Sequence, residues 1–359
     1  MRTVDLAIVG GGPAGLATAI FAARRGLHAV LIEQQRGTPD KACGEGLMPA
    51  GVRALEALDA RRHIDPAHAS RFVGIRYVQE DGSTIEGRFH DGEGLGVRRT
   101  ALMNALTMAA RDCGVELHHS VKARDFQLSA DSVQLAVGDE QIRARLLVAA
   151  DGLHSPIRRQ LGLDGAAPEH ARFGLRRHYA GGEPDDHVEV HWSNGVECYL
   201  TPVGPDRLGV AFLFEGHGHL PDHNALLTRF PRVVERLANA RVDSTVRGAG
   251  PLAQRPRAVM HGRVALVGDA AGYVDAITGE GLSLSFASAQ ALVDAAPDAL
   301  ADPSKLARYA KAHATLFDAY ARPTRLLVWL SRQPALRRRV FAGLSHAPKL
   351  FELALEAVG

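Results

Sequence analysis

Cysteine is scarce. Cys43, Cys113 and Cys198 stand far apart in the 359 residues, and no Cys-x-x-Cys occurs. That excludes a disulfide scaffold and argues against a structural zinc site or a dithiol pair, so no metal is expected. An odd, sparse count fits a reducing compartment, and a cytoplasmic location is expected. Aromatics make up only 6%, no basic run is interleaved with them, and net charge is +2. Wholesale nucleic-acid binding therefore has no electrostatic basis. No apolar run reaches the roughly 18 residues of a membrane span. The chain enters a strand pattern at once in MRTVDLAIVGGG, so no signal peptide is expected.

What is present is ordinary globular composition, 46% hydrophobic and 23% charged. The length suits two or three domains of ~100–200 residues each. Val4–Val9 is a short apolar run followed at once by Gly10-Gly11-Gly12-Pro13-Ala14-Gly15. An Ala-rich helical stretch leads to Gly26, and His28–Ile32 reads as a second buried strand ending at Glu33. This is a β–turn–α–β unit of about 30 residues with the G-x-G-x-x-G spacing of a dinucleotide site. Gly10 permits the tight turn, Gly12 lets the backbone approach a pyrophosphate, and Gly15 lets helix pack on strand. The helix N-terminus offers free N–H groups to the phosphates. Glu33, 18 residues after Gly15, is placed to accept hydrogen bonds from ribose hydroxyls and would repel a 2′-phosphate.

Two further strands end in turns with a carboxylate: Val148–Ala150 before Asp151-Gly152, and Val264–Val267 before Gly268-Asp269. The second runs on to Thr278-Gly279-Glu280-Gly281-Leu282, which opens a helix. Asp269 is placed to accept from a ribityl hydroxyl, and the N–H groups near Gly279 and Gly281 to stabilise an anion on a flavin N1–C2=O edge. As plain turns or helix caps the two aspartates would be unremarkable singly; their order after the glycine turn argues otherwise.

With these three motifs the chain resembles the para-hydroxybenzoate-hydroxylase-type superfamily of FAD-dependent oxidoreductases over roughly residues 1–300. The resemblance implies an α/β fold: a Rossmann-type (GR2) FAD-binding domain, an inserted antiparallel β-sheet substrate domain and a C-terminal helical tail. The expected division is 1–70, 96–165 and 251–300 for the FAD-binding domain, 71–95 and 166–250 for the substrate domain, and 301–359 for the helices. One FAD is implied, with NAD(P)H as electron donor, no separate nicotinamide domain, and a pocket between the isoalloxazine and the inserted sheet. Arg99 heads a helix similar to the family's Arg-x-x-Leu segment, whose Arg meets the FAD phosphates or ribose; Arg98 is the neighbouring alternative. Ala123 stands where the family backbone meets the adenine. Cys43 and Gly44 lie in the loop expected along the flavin, and Pro13, Ala14 and Leu282 complete the cofactor set. Cys43 reads as a small packing residue or a reactive thiol, and Glu45 as a pocket acid or a loop charge.

The oxygenase branch is populous. It implies an NAD(P)H-using monooxygenase of secondary metabolism that hydroxylates or epoxidises an aromatic, polyketide or lipophilic molecule through a flavin C4a-hydroperoxide. Cys43-Gly44-Glu45-Gly46 and Thr278-Gly279-Glu280-Gly281 look more like the geranylgeranyl reductases, which implies the alternative: saturation of C=C bonds in a prenyl or polyketide lipid. A halogenase would show a Trp-x-Trp-x-Ile-Pro stretch, and Trp192 and Trp329 are the only tryptophans. No catalytic acid or base stands out. His217, His219 and His223 read as a flexible surface loop, and His118, His119 and His154 as structural or exposed. Between Arg322 and Lys349 there are seven basic residues and no acid, among several large apolar ones. This tail reads either as a helical cap with a solvated basic face or as a surface for peripheral membrane contact.

Overall fold

The computed structural model describes residues 2–216 and 220–356. Its central sheet has the strand order 260–261, 264–266, 140–149, 2–9, 29–33, 116–119. The other five members of that row run parallel to one another, and 260–261 is antiparallel. Strands Ala29–Glu33 and Val264–Leu266 are buried at every position, as parallel strands covered on both faces must be. The first half of Glu140–Ala149 also pairs antiparallel with Val133–Val137, which pairs with Ala123–Leu128.

The helices in chain order are α1 (Pro13–Arg24), α2 (Pro49–Ala57), α3 (Arg99–Asp112), α4 (Pro156–Gln160), α5 (His223–Leu227), α6 (Pro231–Arg236), α7 (Gly281–Ala301), α8 (Leu306–Ser331), α9 (Pro334–Ser345) and α10 (Pro348–Glu356). Helix α1 crosses from Arg2–Val9 to Ala29–Glu33 and packs against α3 and α7. Small side chains permit that close approach: Ala17, Ala19 and Ala22 share one core with Ala289, Ala295, Ala296 and Ala299.

The second sheet has the order 241–242, 172–180, 207–215, 196–204, 187–193, 74–78, 84–88, with 247–249 also on 172–180. Two expectations change here. The sheet is not wholly antiparallel, because His187–Ser193 runs parallel to Gly74–Val78. Residues 71–95 do not all join it: Ala69–Phe72 and Gly94–Val97 form a separate three-stranded sheet with Gly46–Leu47. That small sheet ties the start of α2 to the larger one, since Thr201 Oγ1 donates to Gly44 O at 2.9 Å.

One face of the larger sheet packs its Cys198, Leu200, Val210 and Phe212 under Leu226, Phe230 and Val233 of the α5–α6 region. The other face looks toward the central sheet and the tail. There Tyr77, Val190 and Trp192 pack with Leu330, Phe341 and Phe351. Pro334 and Pro348 open α9 and α10, a position that tolerates proline because its missing N–H has no intrahelical partner. Pro323 lies inside α8 without ending it, although proline commonly breaks a helix. The helix is pinned around it: the Tyr320 hydroxyl donates to Asp275 O at 2.7 Å and Thr324 Oγ1 donates to Tyr320 O at 2.7 Å. No described helix is long and apolar enough to cross a membrane.

Candidate functional site: a cofactor cradle facing an inserted sheet

Gly10 takes φ +109°, and a Cβ there would lie 2.2 Å from Ala150 O. A Cβ at Gly15 would lie 1.9 Å from Gly10 O. These two glycines are required by the protein's own backbone. Gly12 is different: a Cβ there meets nothing within 4 Å. It caps α1 in an extended conformation with no side-chain cap, ahead of Pro13 at the first helical position, so the first N–H groups of α1 point into open space. Pro13 and Ala14 are buried behind it.

Glu33 closes one side. Its Oε2 accepts from Gly11 N and its Oε1 from Gln35 N, each at 2.7 Å. The carboxylate thus fastens the glycine turn, a use the sequence did not suggest, and each oxygen keeps a lone pair for a ribose hydroxyl. A Cβ at Gly11 would crowd Glu33 Cβ at 2.9 Å. Ala123 pairs with Val137 in a strand ladder. Val121, two residues earlier, is the one joined to Glu33, through its N–H to Glu33 O at 3.2 Å.

Asp151 and Asp269 stand on the far side of α1. Asp151 Oδ2 accepts from Ile157 N at 3.2 Å, while Oδ1 is buried without a partner. Burial pushes both carboxyls above their ordinary range, and the charges of Arg99 and Lys41 pull Asp269 part of the way back. Gly268, at φ +62°, brings its turn against Ala14, whose Cβ would lie 2.6 Å from an added methyl. Gly152, at φ +85°, sits 3.8 Å from Lys41 Nζ by the same measure. Buried Arg158 locks the two acidic turns together by donating to Asp164, Leu153 O, Gln254 and Ala270 O.

Arg99 starts α3, and its Nε is buried without a partner. Arg98 turns the other way and pairs with Asp243 at 3.3 Å. The charge of Arg99 thus acts on Asp269, while Arg98 is held at the larger sheet by Asp243 and His178. Gly279, at φ +75°, precedes Glu280, the cap residue of α7. Tyr273 lies over the first turn, since a Cβ at Gly281 would meet its Cε2 at 2.9 Å. Leu282 packs on the central core. Glu280 is buried beside Ser283, and burial raises its carboxyl to about 7. Cys43 is half-buried, with Sγ 3.4 Å from Glu45 N, and the exposed Gly44 has open space around it.

The residues that join this cradle to the sheet were not foreseen, apart from Glu45. Arg172, Arg176 and His178 alternate along Arg172–Ala180 and face the loops. His178 Nε2 lies 2.5 Å from Glu45 Oε2, and Arg176 bonds Asp40 and Lys41 O. Arg172 bridges Glu197 on the sheet and Asp275 on the loop before α7, at 2.7 and 2.9 Å. Burial pushes both of those carboxyls up. The one signal in the sequence was polar residues at period two on a strand otherwise built for a core.

The histidines differ from expectation. His217 and His219 lie outside the described residues. His223 is no surface residue: it starts α5, is 1% exposed, and packs edge-on against Phe212 at 4.8 Å.

Open space over Gly12, a buried unpartnered Asp151 oxygen and the unpaired Arg99 Nε fit the pyrophosphate and ribose hydroxyls of a dinucleotide. When bound, FAD supplies the redox chemistry, and the donors of α1, Arg99 and α7 would hold its anionic parts.

Comparisons with known proteins agree. Residues 3–178 match a family model described as an FAD binding domain. The chain is 30% identical over 298 residues to digeranylgeranylglycerophospholipid reductase of Methanothrix thermoacetophila, covering 77% of this chain and 73% of that one. It is 33% identical over 168 residues to menaquinone reductase of Mycobacterium tuberculosis, covering 45% and 40%. The structure of the flavin-dependent brominase Bmp2 superposes with a TM-score of 0.86 at 17% identity, covering 99% and 93%, which is a likeness of fold. The chain belongs to the para-hydroxybenzoate-hydroxylase-type superfamily and is an FAD-dependent oxidoreductase.

Proposed function

We propose that the enzyme is a reductase that saturates C=C bonds of a prenyl-type lipid with electrons from NAD(P)H, the second of the two expectations drawn from the sequence. The observation that carries this reading is a buried apolar cluster that walls the join between cradle, sheets and tail. Met48 and Ile277 come from the loops of the cradle, Phe72, Tyr77 and Trp192 from the sheets, and Leu330 and Phe341 from the tail. An isoprenoid chain has no polar handle, so its binding rests on apolar side chains, and this cluster brings them to the cradle. The likeness to a geranylgeranyl-lipid reductase supports the same substrate class.

Alkene reduction needs a hydride on one carbon and a proton on the other. Bound FAD would supply the hydride. Tyr273 is placed to hold the proton: it lies over the first turn of α7 near Cys43, and burial keeps its phenol well above the ordinary range and so protonated. Tyr199 Oη donates to Ile277 O at 3.4 Å and steadies the loop that carries this wall. The Arg172–Glu197–Asp275 bridge fixes the same loop to the sheet.

The test is single turnover without oxygen. Reduced holoprotein is mixed with a geranylgeranyl-bearing phospholipid, and flavin absorbance and product mass are followed. Reoxidation with gain of one hydrogen pair per double bond supports the reading. Inertness toward the lipid, together with transfer of an oxygen atom to a substrate once O2 is admitted, establishes the monooxygenase instead.

A further inference from the structure

We propose that the outward sides of α8, α9 and α10 dock this protein on an anionic lipid surface. The proposal does not depend on which reaction the flavin performs. Eleven large apolar side chains are well exposed among the described residues, and six fall in this tail: Leu326, Trp329, Leu336, Val340, Leu350 and Leu353. They come in pairs three or four residues apart, Leu326 with Trp329, Leu336 with Val340, and Leu350 with Leu353, so each helix presents an apolar stripe. Neighbouring positions on the same helices, Leu330, Phe341 and Phe351, are buried in the cluster that holds Tyr77 and Trp192. These stripes are therefore surplus to the packing of the fold. Concentrated exposed apolar surface of this kind marks an interaction site.

Charge decides the occupant. Three of the seven basic residues between Arg322 and Lys349 are spoken for within the protein. Arg337 is buried with Gln79 and Glu80 under Trp192, Arg332 pairs with Glu215, and Arg322 with Asp318 at 3.5 Å. Arg325, Arg338, Arg339 and Lys349 are exposed and make no ion pair among the described residues. A second copy of the chain would bring like charges face to face, with no acid between residues 322 and 349 to answer them. An anionic bilayer answers both features: headgroup phosphates for the guanidinium and ammonium groups, and the acyl boundary for Leu326, Val340 and the amphipathic ring of Trp329.

The inner sides of the same helices add a consequence. Half-buried Leu327, Val328 and Leu344 belong to the apolar cluster that reaches Ile277 on the cradle. A long-chain molecule leaving the bilayer would meet apolar side chains all the way across one helix diameter, about 10 Å.

The experiment is co-sedimentation of FAD-loaded full-length protein with vesicles. One set is phosphatidylcholine alone, and the other is phosphatidylcholine with about one-third phosphatidylglycerol. The chain has two tryptophans, and Trp192 is 4% exposed against 50% for Trp329. Quenching of fluorescence by bromolipid therefore reports Trp329. We expect binding to the anionic vesicles, with Trp329 quenched. Each basic side chain removed should weaken binding about fivefold, so Arg325→Glu, Arg339→Glu and Lys349→Glu together, which also add three negative charges, should weaken it by at least about a hundredfold. Flavin content should be unchanged. Should the triple variant not fold, a salt titration of the wild-type protein gives the same readout, with binding lost as salt rises. Equal binding to both vesicle sets, no binding to either, or a charge-reversed protein that binds as well as wild type would overturn the proposal. So would concentration-dependent self-association that shields Trp329 without lipid, which would give the face to a second copy.

Discussion

Glu45 Oε2 lies 2.5 Å from His178 Nε2, both side chains buried, across the join between the cofactor cradle and the inserted sheet. The other Glu45 oxygen accepts the backbone N–H of Arg99 at 2.7 Å. One carboxylate thus positions the first turn of α3 and anchors the sheet, from a residue held at φ +60°. Breaking one side of such a buried pair costs about 3 kcal/mol. We expect Glu45→Ala and His178→Ala each to lower urea stability by that amount, and the double variant to lose less than the sum. Glu45→Ala alone should also weaken FAD binding, because Arg99 loses its anchor; His178→Ala should not.

Gly10 and Gly12 separate a folding requirement from a binding one. Gly10→Ala should destabilise the protein by several kcal/mol, since its φ is positive and the new methyl strikes Ala150 O. Gly12→Ala has room within the protein. It should keep the wild-type Tm of the flavin-free protein and lose FAD affinity by at least about tenfold, or ~1.4 kcal/mol. Thermal melts beside flavin fluorescence titrations distinguish the two.

Glu280 carries a pH signature. Its folded carboxyl titrates near 7 instead of 4.5. Between those values the native state holds a proton that the unfolded chain has released, so stability is present below pH 4.5 and falls as pH rises through 7. The loss is on the order of 3 kcal/mol. Arg53 is the charged group from α2 near it, and Tyr320 lines the same groove from α8. Glu280→Gln should match wild type at about pH 5 and exceed it at about pH 8 in urea midpoint. Equal pH slopes in the two proteins would refute the assignment.

Two buried histidines act in the opposite sense. Burial lowers His223 and His313 to about 4 from 6.5. Each contributes stability above pH 6.5 that is lost as pH falls toward 4, on the order of 3 kcal/mol apiece. His313→Leu should flatten the acid limb of a stability–pH curve while leaving the neutral plateau within about 1 kcal/mol.

The cradle was legible in the sequence because its constraints are local. A positive φ at Gly10, a bare helix start at Gly12 and a carboxylate at a strand end are each fixed within a few residues. The Arg98 and Arg99 ambiguity was not resolvable that way, because the two differ only in whether a distant Asp243 or Asp269 is near. The inner-face groups Arg172, Arg176 and His178 were missed for the same reason. Their partners Asp275, Asp40 and Glu45 come from elements more than a hundred residues away. The parallel pairing of His187–Ser193 with Gly74–Val78 is also long-range and leaves no mark on periodicity. A proline in sequence reads as a helix breaker, and the bonds that hold α8 around Pro323, at Tyr320 and Thr324, are invisible to that rule.

Arg2–Val9 lies in the middle of the central sheet. Arg2–Val9 is flanked by Ala29–Glu33 on one side and by Glu140–Ala149 on the other, and the row beyond them closes only with Val264–Leu266. More than 250 residues therefore separate Arg2–Val9 from Val264–Leu266, the last parallel strand of the row to be made, and Asp269 follows that strand. The inserted sheet gains its last strand, 247–249, only shortly before Val264–Leu266, so the nucleotide half keeps an open edge while all of the inserted sheet is being made. Such unpaired edges are where nascent chains aggregate. Expression of this protein should therefore be sensitive to chaperone supply until Val264–Leu266 has emerged, and flavin supplied during synthesis can capture only chains that already carry that strand and Asp269.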